Sequence, residues 1–277
     1  MAATMMDGKA LAERIRREVA EEVRAFGHVG LATVLVGDDE ASQIYIRLKQ
    51  EAAAKAGIEA TDVRLPASCS EEELLAKVAE LNADGSVDAL LVQLPLPDGI
   101  DEARVIRAIA PDKDVDGIHP LNLGELLLAR PRLVPATARG VMALLAEYAV
   151  ELDGARAVVV GRSAIVGKPV VQLLEQANAT VTVCHSHTKD LGGLTSGADV
   201  LVVAVGRAAV VTPAMVGPGA AVVDVGINRS SAGLVGDVDP GAAEVAAFLT
   251  PVPGGVGPMT IACLLQNAVA CARLRRP

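Results

Sequence analysis

The sequence predicts an α/β fold with two lobes, an N-terminal α/β lobe and a Rossmann-like lobe. Short apolar runs, typical of buried parallel strands, alternate with longer segments in which apolar residues recur at helical spacing. This alternation occurs twice, on either side of a less regular stretch over residues 111–135. The chain has 277 residues, of which 51% are hydrophobic and 21% charged, so it can form two cores.

The first lobe begins with a predicted helix over residues 7–26, because Asp7 can cap it and apolar residues follow at every fourth position. Ser70 and Glu73 have the spacing of a capping box, which predicts the start of another helix. The remaining elements alternate as β-α-β units. The predicted strands are 29–36, 60–65 and 87–94, and the predicted helices after them are 40–56, 70–83 and 101–109.

The second lobe follows a predicted helix that starts at Thr137 and runs to about residue 150. We expect the two lobes to join near residues 135–150. Short connections and repeated Gly and Ala residues favour a Rossmann-like domain. Its predicted strands lie near 156–161, 180–184, 199–205, 220–225 and 248–250. Prolines confine the last helix to residues from Met259 onward, which is too short to cross a bilayer, so we expect a buried helix that returns to the first lobe.

Composition excludes several classes of protein. The chain has two Phe, two Tyr and no Trp, and its net charge is −9, which argues against nucleic-acid binding. The four cysteines form no C-x-x-C pair, and the N-terminus has no apolar signal core. These features predict a soluble cytoplasmic protein with no metal site and no membrane association.

Residues 158–169 contain the end of the first strand of the second lobe, a loop with two glycines, and the start of a helix. Small residues allow the backbone to approach a pyrophosphate, and a helix N-terminus offers free N–H groups and a positive dipole end. The glycines do not have the G-x-G-x-x-G spacing, so an ordinary tight turn is the alternative interpretation.

The end of the next strand predicts which dinucleotide would bind. Sites that prefer NAD usually carry Asp or Glu there, whereas residues 185–188 read His-Ser-His-Thr. Arg162, in the glycine loop, can pair with a phosphate group. The sequence therefore favours NADP over NAD. His185 and His187 have no third partner in the sequence that would make them metal ligands.

A set of polar residues in the first lobe could carry chemistry. Tyr45 and Lys49 share a helical face, and a neutral lysine beside an aromatic ring suits base catalysis on a planar ligand. Gln93 lies near the carboxyl end of a strand, where open α/β sheets bind ligands. Asp116 lies in an acidic loop that ends in glycine. The alternatives are a lysine with a buried stem and a charged tip, and acidic residues that only form turns or caps.

Together these segments resemble the bifunctional methylenetetrahydrofolate dehydrogenase/methenyltetrahydrofolate cyclohydrolase family. The matching segments follow the family's order over nearly the whole chain: 42–49, 93–97, 111–117, 161–167, 224–228 and the Pro- and Gly-rich loop 251–260. From the residues alone, that last loop is either a rigid ligand-facing loop or a plain connector. The resemblance implies a catalytic folate-binding domain over 1–136 with the terminal helix 258–277, and an NADP-binding domain over 137–257.

The resemblance also implies site residues, a homodimer, and a place in one-carbon metabolism and purine biosynthesis. Lys49 would be catalytic, with Tyr45, Gln93 and Asp116 beside it. The implied folate-binding residues are Tyr45, Gln93, Asp116, Pro253, Gly254 and Gly255. The implied NADP-binding residues are Gly161, Arg162, Ser163, Ser186 and Ile227. A shikimate-dehydrogenase-like NADP oxidoreductase and a non-catalytic NADP-binding protein are the alternatives to a bifunctional folate enzyme.

Two departures from the family's usual pattern stand out. Ala136 and Ala138 occupy positions where the family commonly has Cys and Pro before the long connecting helix. Ile118 and Leu121 replace aromatic residues that some members carry. Neither change affects Lys49.

Overall fold

A computed structural model describes residues 2–231 and 233–276. Cα proximity divides the chain into two units. The first unit contains residues 13–136 and 261–276, and the second contains residues 2–12 and 137–260. The predicted first domain begins at residue 1, whereas the structure groups residues 2–12 with the second unit. The reason is a short strand, Thr4–Met5, that pairs with Phe248–Leu249.

The elements are numbered in chain order. The strands are β1 (Thr4–Met5), β2 (Gly30–Val36), β3 (Glu59–Leu65), β4 (Ala89–Val92), β5 (Arg156–Val160), β6 (Thr180–Cys184), β7 (Val200–Val203), β8 (Ala221–Asp224), β9 (Asn228–Ser230), β10 (Gly233–Val235) and β11 (Phe248–Leu249). The α-helices are α1 (Gly8–Phe26), α2 (Glu40–Lys55), α3 (Glu71–Ala83), α4 (Glu102–Ala108), α5 (Pro120–Leu127), α6 (Ala136–Glu147), α7 (Gly167–Gln176), α8 (Leu191–Thr195) and α9 (Val256–Arg275).

The first unit contains a parallel sheet in the order β3-β2-β4. The central strand β2 is buried along its whole length, whereas the edge strand β3 is mostly exposed and carries charged residues. The predicted capping box is confirmed, because Ser70 Oγ accepts from the Glu73 amide and the Glu73 carboxylate accepts from the Ser70 amide. Leucine and valine side chains of α3, α4, β2 and β4, with Ile109 just after α4, pack together in a hydrophobic core.

Helix α5 lies in the stretch that the sequence analysis left as irregular. Pro120 occupies its first turn, where a missing N–H costs no helical hydrogen bond. The ring Nδ1 of His119 accepts from the Leu121 amide at 3.0 Å and caps the helix. Histidine is not among the usual capping residues, so the sequence did not signal this start.

The terminal helix α9 ends in the first unit, which confirms the predicted return. Asn267 Nδ2 donates to the carbonyls of Val115 and Val134 at 2.9 and 2.8 Å. The helix starts at residue 256, three residues earlier than predicted, because Pro258 fits the first turn of a helix. No helix among the described residues is long and apolar enough to cross a membrane.

The second unit has a sheet in which the described strands follow the order β6-β5-β7-β8-β11-β1, each pair parallel. The first five strands of this order match a doubly wound fold, which confirms the predicted Rossmann-like lobe. The order reverses between β5 and β7, and ligands bind such sheets where the loops after those two strands meet. The antiparallel hairpin of β9 and β10 was not predicted, because its strands have only three residues each.

Candidate active site

Lys49 and Gln93 meet in the first unit. Lys49 lies on α2, its side chain is buried (6% exposed), and its Nζ donates to Gln93 Oε1 at 3.0 Å. Gln93 directly follows β4, and its backbone amide donates to Val34 O at 2.9 Å. Gln93 Nε2 donates to Leu94 O at 2.7 Å, which turns Oε1 toward the lysine. The carboxyl end of a buried strand therefore orients the amide that holds the amine.

Burial has a direct chemical effect on this lysine. Desolvation lowers the pKa of Lys49, and the nearby charge of Asp116 opposes that effect only in part. A lysine with a lowered pKa is a better base near neutral pH than an ordinary surface lysine. Tyr45, one turn earlier on α2, is half-buried, and desolvation raises the pKa of its phenol. The ring is therefore a neutral, partly exposed surface on the lysine-bearing helix.

Asp114 and Asp116, two of the three aspartates in the acidic loop of the first unit, differ in burial and in contacts. The buried Asp114 accepts from the amides of Gly117 and His119 at 3.1 and 2.7 Å and from Asn122 Nδ2 at 2.8 Å. Asp114 therefore stabilises the turn, which is the alternative that the sequence analysis left open for the acidic residues of this loop. Asp116 is partly exposed, so a ligand can contact its carboxylate, and its charge reaches Lys49.

The glycine loop of the second unit lies at the point where the strand order reverses. Gly161 has φ of +127°, and a Cβ there would lie 2.2 Å from Ala204 O, in the loop after β7. Only glycine allows this approach. Ser163 Oγ accepts from the amides of Val166 and Gly167 at 3.2 and 3.3 Å, which fixes the entry into α7. Arg162 is exposed beside it.

The turn after β6 is held without a carboxylate. The His185 amide donates to Thr188 Oγ1 at 2.8 Å, and His185 Nδ1 accepts from the His187 amide at 3.2 Å. Ser186 is exposed within this turn. An exposed serine, a nearby helix N-terminus and a free arginine suit a phosphorylated ribose, so this surface fits NADP. Within the described ranges, no group of three His, Cys, Asp or Glu side chains is arranged to hold a metal.

The Pro- and Gly-rich loop belongs to the second unit. Gly254 has φ of +114°, and the Gly255 amide donates to Pro251 O at 2.8 Å. A Cβ on Gly255 would lie 2.7 Å from that same carbonyl oxygen. Pro253 is exposed at the loop surface. The loop is therefore a tight, backbone-bonded turn that leads into α9.

Ile227 lies just after β8, and its side chain is exposed although it is apolar. A Cβ on Gly257, at the start of α9, would lie 3.5 Å from Ile227 Cδ1. Two buried carboxylates nearby, Asp224 and Asp237, were not singled out from the sequence. The sequence feature that could have indicated them is a glycine close to each acid, Gly226 near Asp224 and Gly236 beside Asp237, because a glycine lets another group approach the backbone closely.

Sequence models of one family match both parts of the chain. The catalytic domain described as tetrahydrofolate dehydrogenase/cyclohydrolase matches residues 6–116, and the NAD(P)-binding domain of the same description matches residues 135–276. The chain belongs to the tetrahydrofolate dehydrogenase/cyclohydrolase family. The resemblance seen in the sequence is confirmed.

Relatives match over the full length. The chain is 57% identical to the bifunctional protein FolD of Acidiphilium cryptum, with 100% of both chains covered. The crystal structure of the bifunctional methylenetetrahydrofolate dehydrogenase/cyclohydrolase FolD from Campylobacter jejuni is similar with a TM-score of 0.97. The two sequences are 45% identical, and the match covers 99% of this chain and 100% of that one. The Trypanosoma brucei enzyme, crystallised with NADP and an inhibitor, is 40% identical with a TM-score of 0.94 and complete coverage of both chains.

Proposed function

We propose that this protein is a bifunctional folate enzyme with dehydrogenase and cyclohydrolase activities. It oxidises 5,10-methylenetetrahydrofolate with NADP+ to the 5,10-methenyl form, and it hydrolyses that product to 10-formyltetrahydrofolate. The observation that carries the proposal is the buried Lys49 amine, with its lowered pKa and its hydrogen bond to Gln93, in a member of this family. Full-length relatives named for both activities favour it over the shikimate-dehydrogenase-like and non-catalytic alternatives.

Lys49 acts as the base in the hydrolysis. A water oxygen bonds to the methenyl carbon, and the neutral Lys49 amine takes the proton that this water releases. Lys49 then returns its proton to N5 as the bond from that carbon to N5 breaks, the hydroxyl proton leaves to solvent as the C=O bond forms, and the formyl group stays on N10. Gln93 accepts one N–H of the amine, which leaves the nitrogen lone pair free to receive the proton.

The other residues bind and orient the folate. Asp116 accepts hydrogen bonds from the N–H groups of the pterin ring, and the exposed part of Tyr45 stacks on a planar part of the substrate. Pro253, Gly254 and Gly255 border the folate through their tight turn. The oxidation step needs alignment rather than a protein base, so these contacts serve both reactions.

The cofactor-binding residues are Gly161, Arg162, Ser163, Ser186 and Ile227. Bound NADP+ supplies the acceptor for the hydride that leaves the methylene carbon. Arg162 pairs with a phosphate group, and Gly161 lets the backbone approach the pyrophosphate. Fluorescence titration of the protein should give a lower dissociation constant for NADPH than for NADH. Equal or tighter binding of NADH would contradict the assignment.

We propose that the catalytic folate-binding domain comprises residues 1–136 with the C-terminal segment 258–277, and that the NADP-binding domain comprises residues 137–257. The protein acts as a cytoplasmic homodimer, with the folate as a small-molecule partner and no partnership with nucleic acid or membrane. The four cysteines form no disulfide with one another among the described residues, which supports a reducing compartment. Analytical ultracentrifugation at micromolar concentration tests the homodimer, and a monomer would contradict it.

A turnover experiment tests the function as a whole. Protein, NADP+ and 5,10-methylenetetrahydrofolate are mixed while the absorbance of NADPH and of the methenyl product is followed. In a second cuvette, the methenyl compound is supplied without NADP+ and its decay is followed. We expect activity in both. Reduction of NADP+ by shikimate but not by the folate, or binding of NADP+ without turnover, would support one of the two alternatives instead.

A further inference from the structure

Two buried carboxylates lie together in the second unit without a role in the chemistry above. Asp224 ends β8 and is 3% exposed, and Asp237 follows β10 and is fully buried. Buried charges are costly unless hydrogen bonds satisfy them. The described hydrogen bonds to both side chains come from N–H groups. We call Asp224 and Asp237 the acid pair.

Asp237 connects two loops at the carboxyl edge of the sheet. Its Oδ2 accepts from the amides of Val205 and Gly206 at 2.7 and 2.9 Å, in the loop after β7. Its Oδ1 accepts from the Arg207 amide at 2.9 Å, in the same loop. The same Oδ1 also accepts from Asn228 Nδ2 at 2.9 Å, in the segment after β8. One carboxylate thus joins both segments.

Asp224 holds Asp237 in place. Asp224 Oδ1 accepts from the amides of Gly226 and Asp237, each at 2.9 Å, and Oδ2 accepts from the Val238 amide at 2.9 Å. Thr250 Oγ1 accepts from the Asp224 amide at 2.8 Å and holds the backbone of Asp224. The acid pair therefore forms a chain of contacts from the sheet edge to the loop after β7.

Two glycines make room for the acid pair. A Cβ on Gly226 would lie 2.1 Å from Asp237 Oδ1, and a Cβ on Gly236 would lie 1.8 Å from Asp224 Oδ2. Any other residue at these two positions would displace a carboxylate oxygen. The two acids and two glycines therefore depend on one another.

The segments that Asp237 joins belong to the proposed cofactor surface. The loop after β7 begins at Ala204, whose carbonyl oxygen lies against Gly161. The segment after β8 carries the exposed Ile227. Ordering both segments before binding lowers the entropic cost of binding. We infer that Asp237 is a positioning residue for NADP, holding the loop after β7 and Ile227 in the binding geometry. This inference rests on the proposed function.

The substitution Asp237→Asn keeps the shape of the side chain. Its Nδ2 cannot accept, so either the contacts to Val205 and Gly206 or those to Arg207 and Asn228 are lost. We expect the dissociation constant for NADPH, measured by fluorescence titration, and the KM for NADP+ to rise at least tenfold. Tenfold corresponds to about 1.4 kcal/mol. Hydrolysis of supplied methenyl compound should stay within about twofold, since it uses no dinucleotide.

Asp199→Asn is the matched control. Asp199 precedes β7 at the opposite, amino edge of the same sheet, where its carboxylate pairs with Arg156 at 2.8 Å. This variant loses a carboxylate with several hydrogen bonds and should keep the wild-type affinity for NADPH. Asn228→Ala is a milder second variant that leaves both carboxylates in place. We expect it to raise the dissociation constant two- to fivefold, so it gives an answer even if Asp237→Asn does not fold.

An unchanged dissociation constant for NADPH in both variants would overturn the inference. So would a parallel loss of both activities together with a lower Tm, because that pattern indicates a purely structural role. If the wild-type protein catalyses neither reaction yet binds NADPH, the proposed function fails, and the titration still decides the role of Asp237.

Discussion

Replacing Lys49 with methionine separates the two proposed reactions. Methionine has nearly the same length and fills the same buried space, so the change removes the amine and little else. The variant loses one hydrogen bond to Gln93, worth about 1 kcal/mol. It also removes a buried ionisable group whose desolvation is unfavourable, as the lowered pKa of Lys49 indicates. These two effects offset each other, so we expect a Tm close to that of the wild type.

The kinetic effect should be large for one reaction and small for the other. A positioned general base contributes about 10²- to 10⁴-fold, so the cyclohydrolase rate should fall by about that factor. This corresponds to about 3–5 kcal/mol of transition-state stabilisation. Hydride transfer requires no base, and its loss should reflect only poorer alignment, about tenfold or less.

The assay follows the decay of supplied methenyl compound and, separately, the formation of NADPH. Lys55→Met is the control, because Lys55 is an exposed lysine in the last turn of the same helix. In the wild type, the cyclohydrolase rate should rise with pH as Lys49 loses its proton, at a pH below the usual range for lysine. Full cyclohydrolase activity of Lys49→Met would remove the lysine from the mechanism.

Three further predictions concern residues that support the proposed sites or the packing of the terminal helix: Gly161, Asp224 and Asp88. Gly161→Ala should lower the affinity for NADPH at least tenfold and spare the cyclohydrolase, because its Cβ would clash with Ala204 O; unchanged titration would count against the loop assignment. Burial raises the pKa of Asp224 to about 6 from 3.8, so the folded state holds the proton between these values and stability rises as the pH falls through that window. In urea denaturation, the stability deficit of Asp224→Asn should therefore be larger at pH 4.5 than at pH 7, by about 2 kcal/mol; a smaller deficit at low pH would refute this. Asp88→Asn should cost about 2 kcal/mol of unfolding free energy, because the buried carboxylate accepts from Arg276 at 2.6 Å, and a loss below about 0.5 kcal/mol would show that this contact does not stabilise α9.

The sequence predicted the elements whose causes are local. Asp7 caps α1 through its Oδ1, which accepts from the Ala10 amide at 3.0 Å, and this follows from the residue type at the helix start. The capping box at Ser70 has the same character. The buried strands β2, β4, β5 and β7 were visible as apolar runs, because strands covered on both faces cannot alternate with polar residues.

Other features escaped prediction because they depend on distant partners. The strand β1 has only two residues. It forms because the Thr4 amide donates to Ala247 O and the Met6 amide donates to Leu249 O, almost the full chain length away. No local pattern reports such a pairing. The acid pair escaped for the same reason, since Asp237 reads as a loop residue until the amides of the loop after β7 surround it.

The candidate site shows where prediction from residue spacing ends. Spacing places Tyr45 and Lys49 on one helical face and Gln93 at a strand end, but it does not set the distance between the amine and the amide. That distance, 3.0 Å, arises because Leu94 O fixes the Gln93 side chain and because Gln93, at the end of β4, meets the buried face of α2. The lowered pKa of Lys49 is a property of the packed unit, because desolvation exists only once the core has formed. The sequence therefore identifies Tyr45, Lys49 and Gln93 as candidates, whereas the lowered pKa that makes Lys49 a suitable base depends on the folded unit.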